Sequence, residues 1–332
     1  MQQHSGNQRT LADLTLDAGQ LAQGIASWDK PILFVRLRAK DAAVHALPLP
    51  PCPVVGLGDS ESPLASRMDT RLEPGFDALR LAEQVMAQPM AASATAQLLR
   101  LLTALDIEQA LCAESFTYAM LQGSAAHRDW IASRTRGKAR SCEGRIVLSR
   151  EDDVLTVTLD RAQAGNAIDR PMRDGLYEAF ALANADETIR RVVLRGKGKA
   201  FSLGAELDEF GTTTDPATAH MIRAYTLPAR QAARCADRIE AFIDGACIGA
   251  GLELAAFASR VTATRRAWFQ LPELAMGILP GAGGCVSLSR RIGRQRTLLM
   301  ILSGRRLSAT LAHEWGLVDD LVDSRAVDQG AR

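Results

Sequence analysis

Between residues 154 and 322, short strand-like runs alternate with helix-like ones, and this alternation restricts the chain more than any other feature. VLTVTL (154–159) alternates apolar and polar positions as a half-buried strand does, whereas DRPMRDGLYEAFALANAD (169–186) repeats its apolar positions at helical spacing through Met172, Leu176, Ala179 and Phe180. VVLRG (192–196) is a strand ending at glycine, residues 215–236 are helical, and IEAFIDG (239–245) is another strand. A helix from about Gly251, a strand at RVTAT (260–264) and further helices after Gly284 follow. Strands alternating with helices imply parallel pairing through right-handed crossovers, so the fold class is α/β.

The N-terminal part has a different pattern. PILFVRL (31–37) and CPVVGLG (52–58) are strand-like, and residues 77–134 are helical. Leu79, Ala82, Val85 and Met86 mark one helix face; Ile107, Leu111, Tyr118 and Leu121 mark another, with Glu114 on it as a structural glutamate without a catalytic role. RTRGKARSCEGR (134–145) is basic and poor in apolar residues, an exposed linker whose charge is solvated, the alternative being a contact to a nucleotide phosphate. The chain therefore divides into an N-terminal part (1–135), a linker (136–146) and a core (147–332).

Several function classes are excluded at this stage. A net charge of +1 over 332 residues argues against bulk capture of nucleic acid. No run approaches the roughly 18 apolar residues of a membrane span, and MQQHSGNQRTLADLTLD lacks the apolar centre of a secretory signal. A cytoplasmic location is the expectation. The six cysteines form no CxxC pair and the five histidines show no ligand spacing, so no metal is expected.

Chemistry concentrates where small residues meet carboxylates. In GACIGAGLELAAF (245–257), Glu253 follows Gly249, Ala250 and Gly251 inside an apolar run. FQLPELAMGILPGAGG (269–284) repeats the oddity with Glu273. GKGKAFSLGAELDEF (196–210) ends a strand at a Gly–Ala turn. Helix starts and such turns leave backbone N–H groups unpaired, small side chains let a carbonyl approach them, and two of them form an oxyanion hole.

In this order and spacing, the residues resemble the crotonase (enoyl-CoA hydratase/isomerase) superfamily. The match starts at LDRAQAGNAIDRPM, runs through the three stretches above and ends at GRRLSATLAHEWGLVDDLV. The resemblance implies a spiral of ββα repeats and a coenzyme A thioester as substrate, with no permanently bound cofactor. It carries the oxyanion N–H groups onto Ala205 and Ala250, and the two catalytic acids of hydratases onto Glu253 and Glu273. Glu253 would be the water-activating base and Glu273 the proton donor to C2. By the same analogy Gln163, Ala164, Asn166 and Ala167, with Gly204, Ala205, Glu206, Leu207, Gly249 and Gly251, would run along coenzyme A. A homo-oligomer, trimer or hexamer, is the family habit.

Both acids are retained, which favours hydratase over isomerase; a non-catalytic scaffold is the third reading. Departures from the family pattern are Ala250 at the middle glycine, Ser259 where an Asp is usual, and Gln270 near Pro272. Family members continue for several helices past GLVDDLV, and residues 78–134 resemble that tail. The N-terminal part is thus expected to take the place of those helices, as a permuted or duplicated arrangement; the alternative is an unrelated helical domain.

Overall fold

The computed structural model describes residues 10–23, 30–42, 49–134 and 142–323. The chain begins with β1 (Thr15–Asp17), α1 (Ala18–Ala22), β2 (Leu33–Leu37), β3 (Val54–Gly58) and β4 (Thr70–Arg71). These four strands form a parallel sheet in chain order. The sequence showed β2 and β3; β1 and β4, at three and two residues, are too short for an alternating period to register. Successive side chains leave opposite faces of the sheet. Ile32, Phe34 and Val55 join the main core, while Leu33, Val35 and Val54 build a second one with Leu64 and Met68.

Four helices follow, α2 (Ala78–Ala87), α3 (Pro89–Leu102), α4 (Ile107–Gln122) and α5 (Ala125–Ser133). Asp77, Asp106 and Ser124 accept hydrogen bonds from first-turn amides and so fix where α2, α4 and α5 begin. The buried face of α2 is rotated from the expected one. Leu81, Ala82 and Val85 are buried, whereas Leu79 is 53% exposed, because α10 (below) packs against the neighbouring stripe. On α4 the expected face holds: Leu111, Glu114 and Leu121 are buried, with Ile107 and Tyr118 partly so.

The second half comprises β5 (Arg145–Glu151), β6 (Val154–Asp160), α6 (Arg170–Ala185), β7 (Arg191–Gly196), α7 (Pro216–Thr226) and α8 (Pro228–Arg234). It continues with β8 (Ile239–Ile243), β9 (Ala246–Ile248), α9 (Ala250–Ala255), β10 (Arg260–Thr264) and β11 (Trp268–Gln270). The last elements are α10 (Gly284–Ser303), β12 (Leu307–Ser308), α11 (Ala309–Glu314) and β13 (Asp320–Val322). A six-stranded sheet runs β13-β10-β8-β7-β6-β5, parallel except for the β5–β6 hairpin. Strand β5 starts at Arg145, inside the stretch read as linker, and its mostly exposed side chains gave no alternation to read. The rest of that linker, residues 135–141, falls outside the described residues. A second layer, β12-β11-β9, is extended by single bridges at Ser202–Cys247 and Ile168–Ala205. Each turn of the chain thus places one strand in the large sheet, a short stretch in the small layer and then a helix, which is the expected spiral.

The helix read over 215–236 is in fact two. Pro228 has no N–H and pushes the residue before it out of the helical region, and Leu227 is extended with ψ 116°.

The halves share one core. Helix α10 packs against α2, α3, α4 and β4, and α4 packs against α7. A buried ion pair holds the N-terminal elements together beside that contact. Asp69 is 1% exposed and receives two hydrogen bonds from Arg100, at 2.7 and 2.6 Å, while Arg100 also donates to the Pro50 and Cys52 carbonyls. Replacing Arg100 with Met leaves a buried carboxylate with the Val54 amide and Arg294 at 3.6 Å. Removing one partner of such a pair is costly, so the substitution is expected to lower stability by about 3 kcal/mol, read as a fall in the urea midpoint at unchanged m-value.

Candidate active site

Two turns meet at the centre of the spiral. The first follows Ser202, whose Oγ donates to the Asn166 carbonyl and accepts from the Gly204 amide. The second is the β9–α9 corner, where Gly249 adopts φ 47° and its N–H donates to the Gln270 carbonyl. A Cβ on Gly249 would lie 2.6 Å from Glu273 Oε1, so glycine is needed both for the backbone angle and for the approach of the acid. Neither Ala205 N–H nor Ala250 N–H has an acceptor among the described residues. The Ile168–Ala205 bridge uses the amides of Ile168 and Glu206, and Ala250 is the first residue of α9.

Ala205, Ala250, Glu253 and Glu273 line one cavity of about 830 Å³. Glu253, from α9, is 2% exposed, and its Oε2 accepts from the Ala282 and Gly284 amides at 2.6 and 2.9 Å. Glu273 follows Pro272 in a single tight turn (Glu273–Met276), is 8% exposed, and its Oε2 is buried without a hydrogen-bond partner. Burial raises both acids. Desolvation pushes Glu253 up to about 7 against the two amides that favour its charged form. Desolvation, then the nearby charge of Glu253, holds Glu273 well above the usual carboxylate range. The site therefore holds an anchored carboxylate that can ionise near neutrality and, beside it, an acid without a partner for Oε2 whose ionisation burial and the Glu253 charge oppose.

A third glutamate belongs to the same turn, and the reading of Glu114 as a structural glutamate stops short of its place. It reaches from α4 to accept from Gly283 N–H at 2.7 Å and Val286 N–H at 3.2 Å. Desolvation, then the charge of Glu253, raises it well above the usual range. Tyr118 and Gln122, one and two helical turns further along, line the cavity, as does Arg223 of α7. Glu114 carried the same signal as the two recognised acids, a carboxylate on a buried face. Arg223 lies on an ordinary polar helix and gave none.

Other expected site residues are placed differently. Asn166 is fully buried, and its side chain accepts from Arg161 N–H and donates to the carbonyls of Lys197, Ala200 and Phe201. Its side chain ties two loops together. Ala164 and Ala167 are buried, Gln163 is exposed, and none of the three lines the cavity. Glu206 accepts from Arg161 at 2.6 Å, and Leu207 is 38% exposed. Gly204 packs against the Ile248 carbonyl and Gly251 against Ser202. Gln270 donates to the Gly304 carbonyl and is structural. Among the described residues, no group of three or more His, Cys, Asp and Glu is arranged to hold a metal, and no helix is long and apolar enough to cross a membrane.

Comparison with known proteins identifies the family. The chain is 35% identical over 179 residues to 2,3-dehydroadipyl-CoA hydratase of Escherichia coli, covering 54% of this chain and 69% of that protein. It is 32% identical to 1,2-epoxyphenylacetyl-CoA isomerase of the same organism, covering 55% and 71%. The crystal structure of enoyl-CoA hydratase from Thermoplasma volcanium superposes with a TM-score of 0.50 at 33% identity, covering 56% of this chain and 75% of that one. The family model described as enoyl-CoA hydratase/isomerase matches residues 149–332. Sharing their spiral α/β architecture and more than half its length with that family, the chain belongs to the enoyl-CoA hydratase/isomerase (crotonase) family.

Proposed function

We propose that the protein hydrates a 2-enoyl-CoA thioester, or runs the reverse dehydration. The observation that carries this reading is the pair of acceptor-free amides, Ala205 and Ala250, facing the same cavity as two buried acids. The amides would hold the thioester oxygen as charge gathers on it in the enolate, an interaction worth roughly 10²–10³ in rate per donor. Ionised Glu253, steadied by Ala282 and Gly284, takes a proton from water as that water adds to C3. Protonated Glu273 delivers its proton to C2. The thioester is the substrate, and the scheme uses no resident cofactor. A hydratase and an isomerase stand among the relatives, and both acids being present favours hydration.

The pH dependence follows from the two shifts. Below about 7 Glu253 is protonated and cannot act as base, so kcat/KM should fall about tenfold per pH unit on the acid side. On the alkaline side it should fall again as Glu273 loses its proton. Loss of the conjugated thioester absorbance measures the profile. Glu253→Gln is expected to lower hydration by about 10³-fold; double-bond isomerisation surviving in that variant while hydration was absent in the wild type would favour the isomerase.

We further propose that α2–α5 serve as the closing helices of this active site, and that the N-terminal part (1–135) is a working part of one enzyme with the core. The support is α4, which brings Glu114, Tyr118 and Gln122 to the cavity and its bordering turn. The same reading carries a cytoplasmic homo-oligomer, trimer or hexamer, which light scattering on the purified chain measures. At the contact of the two halves, a Cβ on Gly281 would lie 2.0 Å from the Tyr118 ring. Gly281→Ala should therefore cost about 2 kcal/mol by overpacking and lower kcat/KM with it. Most of the stability loss should vanish in a Tyr118→Ala background, the non-additivity expected of touching residues.

A further inference from the structure

We infer that Arg223 binds a carboxylate at the far end of the acyl group, making the preferred substrate an ω-carboxyl enoyl-CoA. The inference rests on the coenzyme A ester reading of the cavity.

Three arginines line that cavity, and they differ in their surroundings. Arg173 is paired with Asp174 at 2.6 Å, and Arg170 is exposed to solvent. Arg223 is half-buried, and among the described residues no carboxylate lies within ion-pair distance of it. Its partners are neutral. Nε donates to Ser115 Oγ at 3.0 Å, Nη2 to the Ser115 carbonyl at 3.3 Å and Nη1 to Gln122 Oε1 at 3.4 Å. The guanidinium lies over the Tyr118 ring, 4.4 Å from its centre. These contacts fix the plane of the fork and use three of its five donors, leaving a desolvated charge without a counter-ion. Burial holds the Arg223 pKa below the usual arginine value, with Tyr118 and then Glu114 opposing the shift. Glu114 itself is held towards its protonated form and compensates little. A ligand carboxylate would supply both the missing charge and the missing acceptors.

The position of Arg223 selects the acyl end over the phosphates of coenzyme A. Tyr118, under the guanidinium, abuts Gly281, next to the Ala282 amide that anchors Glu253. Arg223, Glu253 and Glu273 all act electrostatically on the Tyr118 phenol, which burial pushes up to about 12. Arg223 therefore stands on the acid/base side of the cavity, where C2 and C3 of the acyl chain must lie. The neighbouring surface is mostly apolar, through Ile222, Leu227 and Ile278, which suits a methylene chain between the two charges.

Calorimetry with saturated, unreactive thioesters tests this without turnover. Succinyl-, glutaryl- and adipyl-CoA are titrated into the full chain against butyryl-, valeryl- and hexanoyl-CoA, each pair differing in its terminal group alone. At least one carboxylated ester should bind tenfold or more tighter than its neutral partner, and Arg223→Gln should bring that ratio close to one, with Arg223→Lys intermediate. Equal binding of every pair by the wild type overturns the inference whether or not any variant folds. An equal weakening of both members of each pair, and of free coenzyme A, by Arg223→Gln also overturns it, since Arg223 would then hold a phosphate. A carboxylate preference in a protein that hydrates none of the corresponding enoyl esters would keep the inference and sink the hydratase reading; hydration without such a preference would do the reverse.

Discussion

The backbone amides of Ala282, Gly283, Gly284 and Val286 hold two carboxylates, one from each half of the chain. Glu253 comes from α9 in the core, and Glu114 from α4 in the N-terminal part. The amides sit at the start of α10, where four N–H groups have no partner within the helix, and helix starts attract negative charge. The aim of Glu253 and the seating of α4 depend on this arrangement. It aims Glu253 at the cavity, sets the depth at which α4 crosses the turn, and brings Tyr118 onto Gly281. The 281–284 turn carries three glycines because a side chain at Gly281 would collide with Tyr118 and one at Gly284 with Glu253.

Three buried acids side by side are a source of strain as well as of chemistry. Each is raised chiefly by desolvation, and the amides offset part of that cost for Glu253 and Glu114 but leave Glu273 Oε2 with nothing. In a binding scaffold, an orphaned carboxyl oxygen would be a defect that replacement by an apolar side chain removes. Under the proposed hydration it would be the oxygen whose proton a substrate carbon receives. The three groups differ in how far they are tied down. Glu114 has both oxygens occupied by amides, Glu253 has one occupied, and Glu273 Oε2 has no hydrogen-bond partner among the described residues, which is what supports proposing proton transfer for the last two.

The sequence carried the architecture well and the orientation of side chains poorly. Glu253 and Glu273 stood out because a carboxylate inside an apolar run has few explanations, and both line the cavity. Strand–helix alternation gave the α/β class and the family resemblance the spiral, and Asp169 opened the stretch read as helical, where it accepts from Met172 N–H. The Asn166 side chain turns inward for a physical reason. A loop asparagine bonds to a ligand or to its own backbone with equal ease, and here all its bonds are internal. Strand β5 was missed because a hairpin edge with both faces near solvent has no period to read. Glu114 had the right signal, but its helix lies far away in the chain, and no local pattern indicates which distant turn a buried acid will cap.

Placing α4 over the cavity has a consequence for how such a chain adapts. In the core, the acids, the small turns and the strands constrain one another so tightly that a change at Gly249, Gly251 or Gly284 meets an occupied position. On α4 and α7 the cavity-facing residues, Gln122, Ile222 and Arg223, are held by side-chain contacts across a helix pair rather than by the sheet. Helix surfaces tolerate exchange of such residues without moving the turn at Ala205 or the start of α9 at Ala250. On the proposed reading the chemistry would reside in the spiral and the choice of acyl group in the α4–α7 wall. A half of the chain outside the family match thus has a direct route to substrate choice: it supplies Ser115, Tyr118 and Gln122, and these three residues set the plane and reach of the Arg223 guanidinium.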